Sequence, residues 1–102
     1  ISFVDLAGSE RSSKSNPTGN KDRQAEANNI NSSLSTLGRV IQSLTTKGAT
    51  QPPYRDSTLT RLMKDSLGGT SKTLMFVNVS PADYNSAESL SSLNFGETVK
   101  KV

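Results

Sequence analysis

The chain has 102 residues, 31% of them hydrophobic, with 12 basic and 9 acidic side chains and a net charge of +3. With glycine counted in, the apolar share is about 38%, against roughly 45–50% in an average globular domain; 17 serines and 10 threonines take up the difference. The absence of Cys and His removes disulfide frameworks, zinc knuckles, thiol nucleophiles and Ser-His-Asp triads.

A chain this short and polar can bury only a thin core, and Ile1 is not a start methionine. Both lead to the expectation of a fragment whose apolar faces meet partners outside it. No run reaches the 18 or so apolar residues a membrane helix needs, and no signal peptide is present, so a soluble intracellular setting is the default. The charge is spread evenly, +2 over residues 1–51 and +1 over 52–102, which permits an acidic partner without demanding one.

In chain order, residues 1–8 read as a buried strand: β-branched and aromatic residues in a run too short for a helix, ending at Asp5-Leu6-Ala7-Gly8. Residues 9–24, rich in Ser, Asn, Gly, Lys and Pro, read as a loop. Over 25–45 the period changes. Ile30, Leu34, Leu37, Val40, Ile41 and Leu44 recur at spacings of three and four and predict a long amphipathic helix. Gly38 inside it costs up to about 1 kcal/mol relative to Ala, so packing must hold it. Residues 46–56 form a second loop. A shorter helix over 57–67 follows, with Asp56 or Ser57 as cap, Leu59, Leu62, Met63 and Leu67 as stripe, and Gly68-Gly69 as stop. Residues 73–79 (TLMFVNV) read as a strand apolar enough to be buried on both faces. Asn85 and Glu88 form a capping-box pattern ahead of a last helix over 86–101, which closes on Lys100-Lys101. The predicted order is β-α-α-β-α, an α/β fold. Two lone strands make no stable sheet, which again points to missing neighbours.

The cluster Asp5-Leu6-Ala7-Gly8-Ser9-Glu10 carries the most chemistry. An Asp at the carboxyl end of a buried strand lies where α/β sheets bind ligands and where nucleotide-hydrolysing proteins hold magnesium. Gly8 leaves its N–H open to a phosphate because no Cβ blocks the way. Taken alone, such an Asp is more often a turn cap than a ligand. Arg11, Lys14, Lys21, Arg23, Arg55, Arg61 and Lys64 form either a basic face or ordinary solvated charge. The few aromatics are not interleaved with them, which argues against nucleic acid. Ser71-Lys72-Thr73 looks like the end of a phosphate-binding loop but lacks the upstream GxxxxG, so that match is spurious.

Five blocks in order, DLAGSER at 5–11, NINSSLSTLGRVIQSL at 29–44, YRDSTLTRLMKDSLGG at 54–69, KTLMFVNVSP at 72–81 and SLNFGETVKKV at 92–102, resemble the C-terminal portion of the kinesin motor domain over essentially the whole chain. The resemblance implies a P-loop NTPase-type fragment, a mixed central sheet flanked by helices, within a microtubule-stimulated ATPase that works on cytoplasmic or spindle microtubules. It implies ATP and magnesium as cofactors, with most of their site outside the chain. The implied partners are tubulin and the rest of the motor domain, with neither nucleic acid nor membrane.

In kinesins the DLAGSE stretch is switch II. By resemblance Asp5 contacts magnesium through water, the Gly8 N–H binds the γ-phosphate, and Glu10 pairs with a switch I arginine and helps position the attacking water. The helix at 25–45 resembles the relay helix. The loop before it, the helix itself and residues 54–67 resemble the microtubule-facing surface, with Arg11, Lys14, Arg55 and Arg61 as direct contacts to acidic tubulin.

Departures from the family pattern are Asn28, Ser32 and Thr58 at positions where lysine is common, and a switch II loop longer by a residue or two around 19–23. Neither a GxxxxGK[ST] loop nor switch I is present in the chain. In the family the two strands flank the phosphate-loop strand, so residues 2–6 and 73–79 are expected not to pair with each other. The rival readings are a kinesin-like microtubule-binding module without ATP turnover and an unrelated soluble α/β domain.

Overall fold

The computed structural model describes residues 1–9 and 21–102. Among them the regular elements are α1 (Lys21–Thr45), α2 (Thr58–Leu62) and α3 (Ser86–Val99), with short 3₁₀ turns at Tyr54–Asp56 and Asp83–Asn85.

Helix α1 begins at Lys21, so residues 21–24 of the expected loop are helical. Asp22 in the first turn favours this start, because a carboxylate there meets the positive end of the helix dipole. The apolar stripe of α1 makes the core: Leu37, Val40 and Ile41 are buried and meet Met63 and Leu67. Leu6, Leu44, Tyr54, Leu59, Met75, Phe95 and Val99 pack around them. This burial holds α1 despite Gly38, whose position faces the Phe95 ring of α3.

Ser57 caps α2, its Oγ accepting from the Thr60 N–H at 3.1 Å. The helix stops at Leu62 and does not continue to 67. Met63, at φ −90° and ψ 4°, leaves the helical region, and tighter turns follow, with the Ser66 and Leu67 N–H groups both donating to the Met63 carbonyl at 3.0 Å. The bend lets Met63 and Leu67 both enter the core, while Leu62 stays exposed. Gly68 completes the reversal at φ +76°, where any other residue is strained and its Cβ, 2.6 Å from Leu44 Cδ2, would push Leu44 aside.

The two expected strands, 1–8 and 73–79, are not formed among the described residues, and the order β-α-α-β-α reduces there to three helices. The physical reason is the absence of neighbours: a strand is held by ladder hydrogen bonds to adjacent strands, and these segments do not pair with each other. Residues 73–79 nevertheless have two unlike faces. Met75 packs on the core, and Val77 Cγ2 lies 3.1 Å from where a Gly96 Cβ would be. Leu74 and Phe76 point away, 76% and 81% exposed.

Helix α3 has Asn85 as N-cap, but the Asn85 side chain makes no capping bond. Its Nδ2 donates to Ser80 Oγ at 3.1 Å instead, and Ser89 Oγ donates to the Ser80 carbonyl at 3.2 Å. The helix ends at Val99, with Lys100 as C-cap. Among the described residues no helix is long and apolar enough to cross a membrane.

Candidate functional site

Residues 5–9 cross the middle of α1. Leu6 is half-buried against the core, and this one anchor turns its neighbours into two cavities. On one side, Asp5, Leu6 and Ala7 line an open cavity of about 290 Å³ together with Asn29, Ile30, Ser33 and Leu34 of α1 and Leu59 of α2. On the other, Gly8 and Ser9 open onto a larger cleft of about 410 Å³ between residues 6–9 and 75–78, floored by Leu34 and Leu37 and walled by Glu88, Ser92 and Phe95 of α3. The cleft is the slot between the two expected strands, and residues 2–6 and 73–79 do not pair across it.

Asp5 and Gly8 therefore sit three residues apart on one segment but face different cavities. Asp5 is exposed, and Asn29 and Ser33, one turn apart on α1, line the same cavity. A carboxylate oxygen suits a hard cation such as magnesium. Among the described residues no group of three or more His, Cys, Asp or Glu side chains could hold a metal, so Asp5 can supply one carboxylate of a magnesium site but not a whole one. Glu10, Arg11 and Lys14 lie outside the described residues.

The expected track-facing side is built by α1, the Tyr54–Asp56 turn and α2. Arg55 and Arg61 are both exposed there. Arg61 Nη2 donates to Thr58 Oγ1 at 3.2 Å, so the threonine at a common lysine position braces the arginine one turn on. Asn28 plays a similar local part, its Oδ1 accepting from Gln24 Nε2 at 3.2 Å. Below Arg55 the turn is rigidly tied. The fully buried Thr60 donates to the Tyr54 carbonyl at 2.7 Å, and the Tyr54 hydroxyl donates to the Leu67 carbonyl at 2.5 Å. Burial raises the Tyr54 pKa above its ordinary 10.0. Lys64 Nζ stands 5.8 Å from the Tyr54 ring centre, a cation–π contact.

One pair on this side was not legible in the sequence. Arg39 Nη1 donates to Asp56 Oδ2 at 3.2 Å, and Arg39 Nη2 donates to Thr36 Oγ1 at 3.0 Å. The residues of the ion pair are 17 apart in sequence, and no local spacing rule reaches that far.

The kinesin motor domain family model matches residues 1–102. The chain belongs to the kinesin motor domain family. It is 54% identical over 102 residues to kinesin-like protein klp-20 of Caenorhabditis elegans, covering 100% of this chain and 16% of that protein. It is 57% identical over 100 residues to kinesin-like protein KIN-14R of Arabidopsis thaliana, covering 98% and 9%. Among solved structures it aligns with a fast kinesin at TM-score 0.80 and 47% identity, over 96% of this chain and 27% of that one. The motor domain of the Kar3-like kinesin from Ashbya gossypii aligns at TM-score 0.73 and 49% identity, over 94% and 30%. The chain thus spans a small part of the curated relatives, and less than a third of these solved kinesin chains. Its helices and unpaired segments are a piece of the kinesin motor domain fold, which explains apolar segments that look like strands yet find no sheet.

Proposed function

We propose that this chain is the C-terminal part of a microtubule-stimulated ATPase motor, supplying switch II and the track-binding surface. The observation that carries the proposal is the family match over the whole chain together with the intact trio Asp5, Gly8 and Glu10. A segment that had lost nucleotide chemistry has no physical need to keep a carboxylate, a Cβ-free N–H and a second carboxylate at this spacing.

The division of labour follows from phosphoryl-transfer chemistry, in which positioning and electrostatics do most of the catalysis. Magnesium ATP, when bound, supplies the phosphoryl group that is transferred to water. Asp5 serves as an outer carboxylate for the cation through a water. Gly8 offers its backbone N–H to the terminal phosphate, and Glu10 orients the attacking water. An N–H that bonds only the terminal phosphate also senses its loss, and so couples turnover to the position of the segment. Residues 5–7 lie along Asn29, Ile30, Ser33 and Leu34 of α1, so a shift of switch II meets the relay helix directly. Arg11, Lys14, Arg55 and Arg61 face acidic tubulin on cytoplasmic microtubules. The chain contains no GxxxxGK[ST] loop, so ATP turnover belongs to the whole motor domain and not to these residues alone. The open cleft beside Gly8 and the exposed Leu74 and Phe76 meet the rest of that domain.

The test is Glu10→Ala in the whole motor domain. Nucleotide should still bind, while microtubule-stimulated hydrolysis falls by about 100-fold or more, the scale expected when a positioning group for the reacting centre is removed. Near-normal turnover in the variant overturns the role of Glu10. Microtubule binding without turnover in the unaltered protein leaves the track-binding module as the correct reading.

A further inference from the structure

We propose that Arg39 is a positioning residue for the track-binding surface: through Asp56 it fixes the turn that carries Arg55 onto α1. The inference rests on the microtubule-binding reading above and adds to it a pair which that reading does not use.

The geometry starts on α1. Thr36 is 1% exposed, and its hydroxyl donates to the Ser32 carbonyl at 3.0 Å. That leaves the oxygen free to accept, and Arg39 Nη2 donates to it at 3.0 Å. The guanidinium is thereby held at a defined place on the helix surface, and its other prong, Nη1, reaches Asp56 Oδ2 at 3.2 Å. A planar fork with donors on both sides suits this double duty; an ammonium does not.

Asp56 is the last residue of the Tyr54–Asp56 turn and stands next to the α2 cap, Ser57. The other ties of this turn run to its own side of the molecule: Tyr54 to the Leu67 carbonyl, Thr60 to the Tyr54 carbonyl, and the Asp56 N–H to the Pro53 carbonyl. Apolar packing against α1 presses the turn down but is non-directional. The Asp56 carboxylate is the directional link from the turn to α1, and Arg55 is the adjacent residue. If α1 moves as a relay helix, Arg39 makes Arg55 move with it.

Two accounts of the pair make opposite predictions. If only surface charge matters, removing Asp56 takes an acidic group off a face that meets an acidic track, so binding tightens, while removing Arg39 weakens it. If the pair is a clamp, both changes weaken binding, because each releases the same turn. In the whole motor domain, Arg39→Gln and Asp56→Asn should each raise the microtubule concentration for half-maximal ATPase by about two- to five-fold, the range of an exposed ion pair, with a smaller change in the maximal rate. The double variant should be no worse than either single one, because both remove one interaction. Arg39→Lys should recover only part of the loss. Tighter binding by Asp56→Asn, or additive losses in the double variant, overturns the proposal. An unaltered motor domain without microtubule-stimulated ATPase fails the underlying reading instead, a result visible before any variant is made.

Discussion

The helices of this chain are about one-third apolar and its two extended segments about two-thirds, yet it is the helices that bury their apolar side chains. Leu37, Val40 and Ile41 on α1 are 0–1% exposed, while Phe3, Leu74 and Phe76 stand between 76% and 94% exposed. The difference is one of reach. An α-helix satisfies its backbone from within, so α1 forms wherever its stripe finds something apolar, and residues 59–67 provide that nearby. A strand's backbone is satisfied only by another strand. On the reading proposed above, residues 1–8 and 73–79 are each one half of pairings whose other halves lie elsewhere in the motor domain. Local elements survive being taken alone; sheet elements do not.

The largest effects should follow that division. Leu37→Ala removes a buried side chain from the centre of the core and should destabilise the chain by about 2–5 kcal/mol. Phe76→Ala, an equally drastic truncation on paper, should cost less than about 0.5 kcal/mol because its ring is already in water. Denaturant midpoints of the two variants check the contrast, and equal losses would break it. In the whole motor domain the Phe76 cost should rise toward the Leu37 cost if, as proposed, a sheet neighbour covers the ring there.

How much was legible in the sequence divides along the same line. The core of α1 was readable because the 3.6-residue period of Ile30 to Leu44 is a local signal. So was Ser57 as a cap, since its partner Thr60 is three residues away. The early start of α1 was hidden because its first turn, KDRQ, has no apolar residue to mark a period. The stop of α2 at Leu62 was hidden because Met63 and Leu67 continue the stripe by count while the backbone bends to bring both inside. At the site, Asp5 and Gly8 were legible as a motif, but their separation into two cavities depends on Leu6 meeting helix residues more than 20 positions away, Asn29 to Leu34. The Arg39–Asp56 pair had no sequence signal at all.

A middle-sized effect tests how firmly the turn under Arg55 is built. Tyr54→Phe removes the hydroxyl bond to the Leu67 carbonyl and should cost about 0.5–1.5 kcal/mol near neutral pH. The same residue sets an alkaline limit. Burial raises its folded pKa above the unfolded 10.0, so the folded state holds this proton more tightly. Its contribution is complete below pH 10.0 and declines as pH rises through the raised folded value. Thermal melts of the two proteins across alkaline pH should therefore converge, and a constant gap would deny the burial effect.

The smallest expected effect runs the other way. Gly38 stands in the middle of α1 at a helical position with no positive φ, so nothing in the backbone requires glycine there. A Cβ would lie 3.9 Å from Phe95 Cε2, an ordinary contact. Gly38→Ala should therefore raise stability, by up to about 1 kcal/mol from helix propensity. The interest lies in what accompanies the gain. If glycine is kept so that α1 can shift against α3 during the motor cycle, the stabilised variant should turn over more slowly at saturating microtubules. If glycine is merely tolerated, the melting temperature should rise with no loss of rate. The packed half of the chain would then owe nothing to motion at this point, and the coupling proposed above between switch II and the track would rest on α1 moving as a rigid rod.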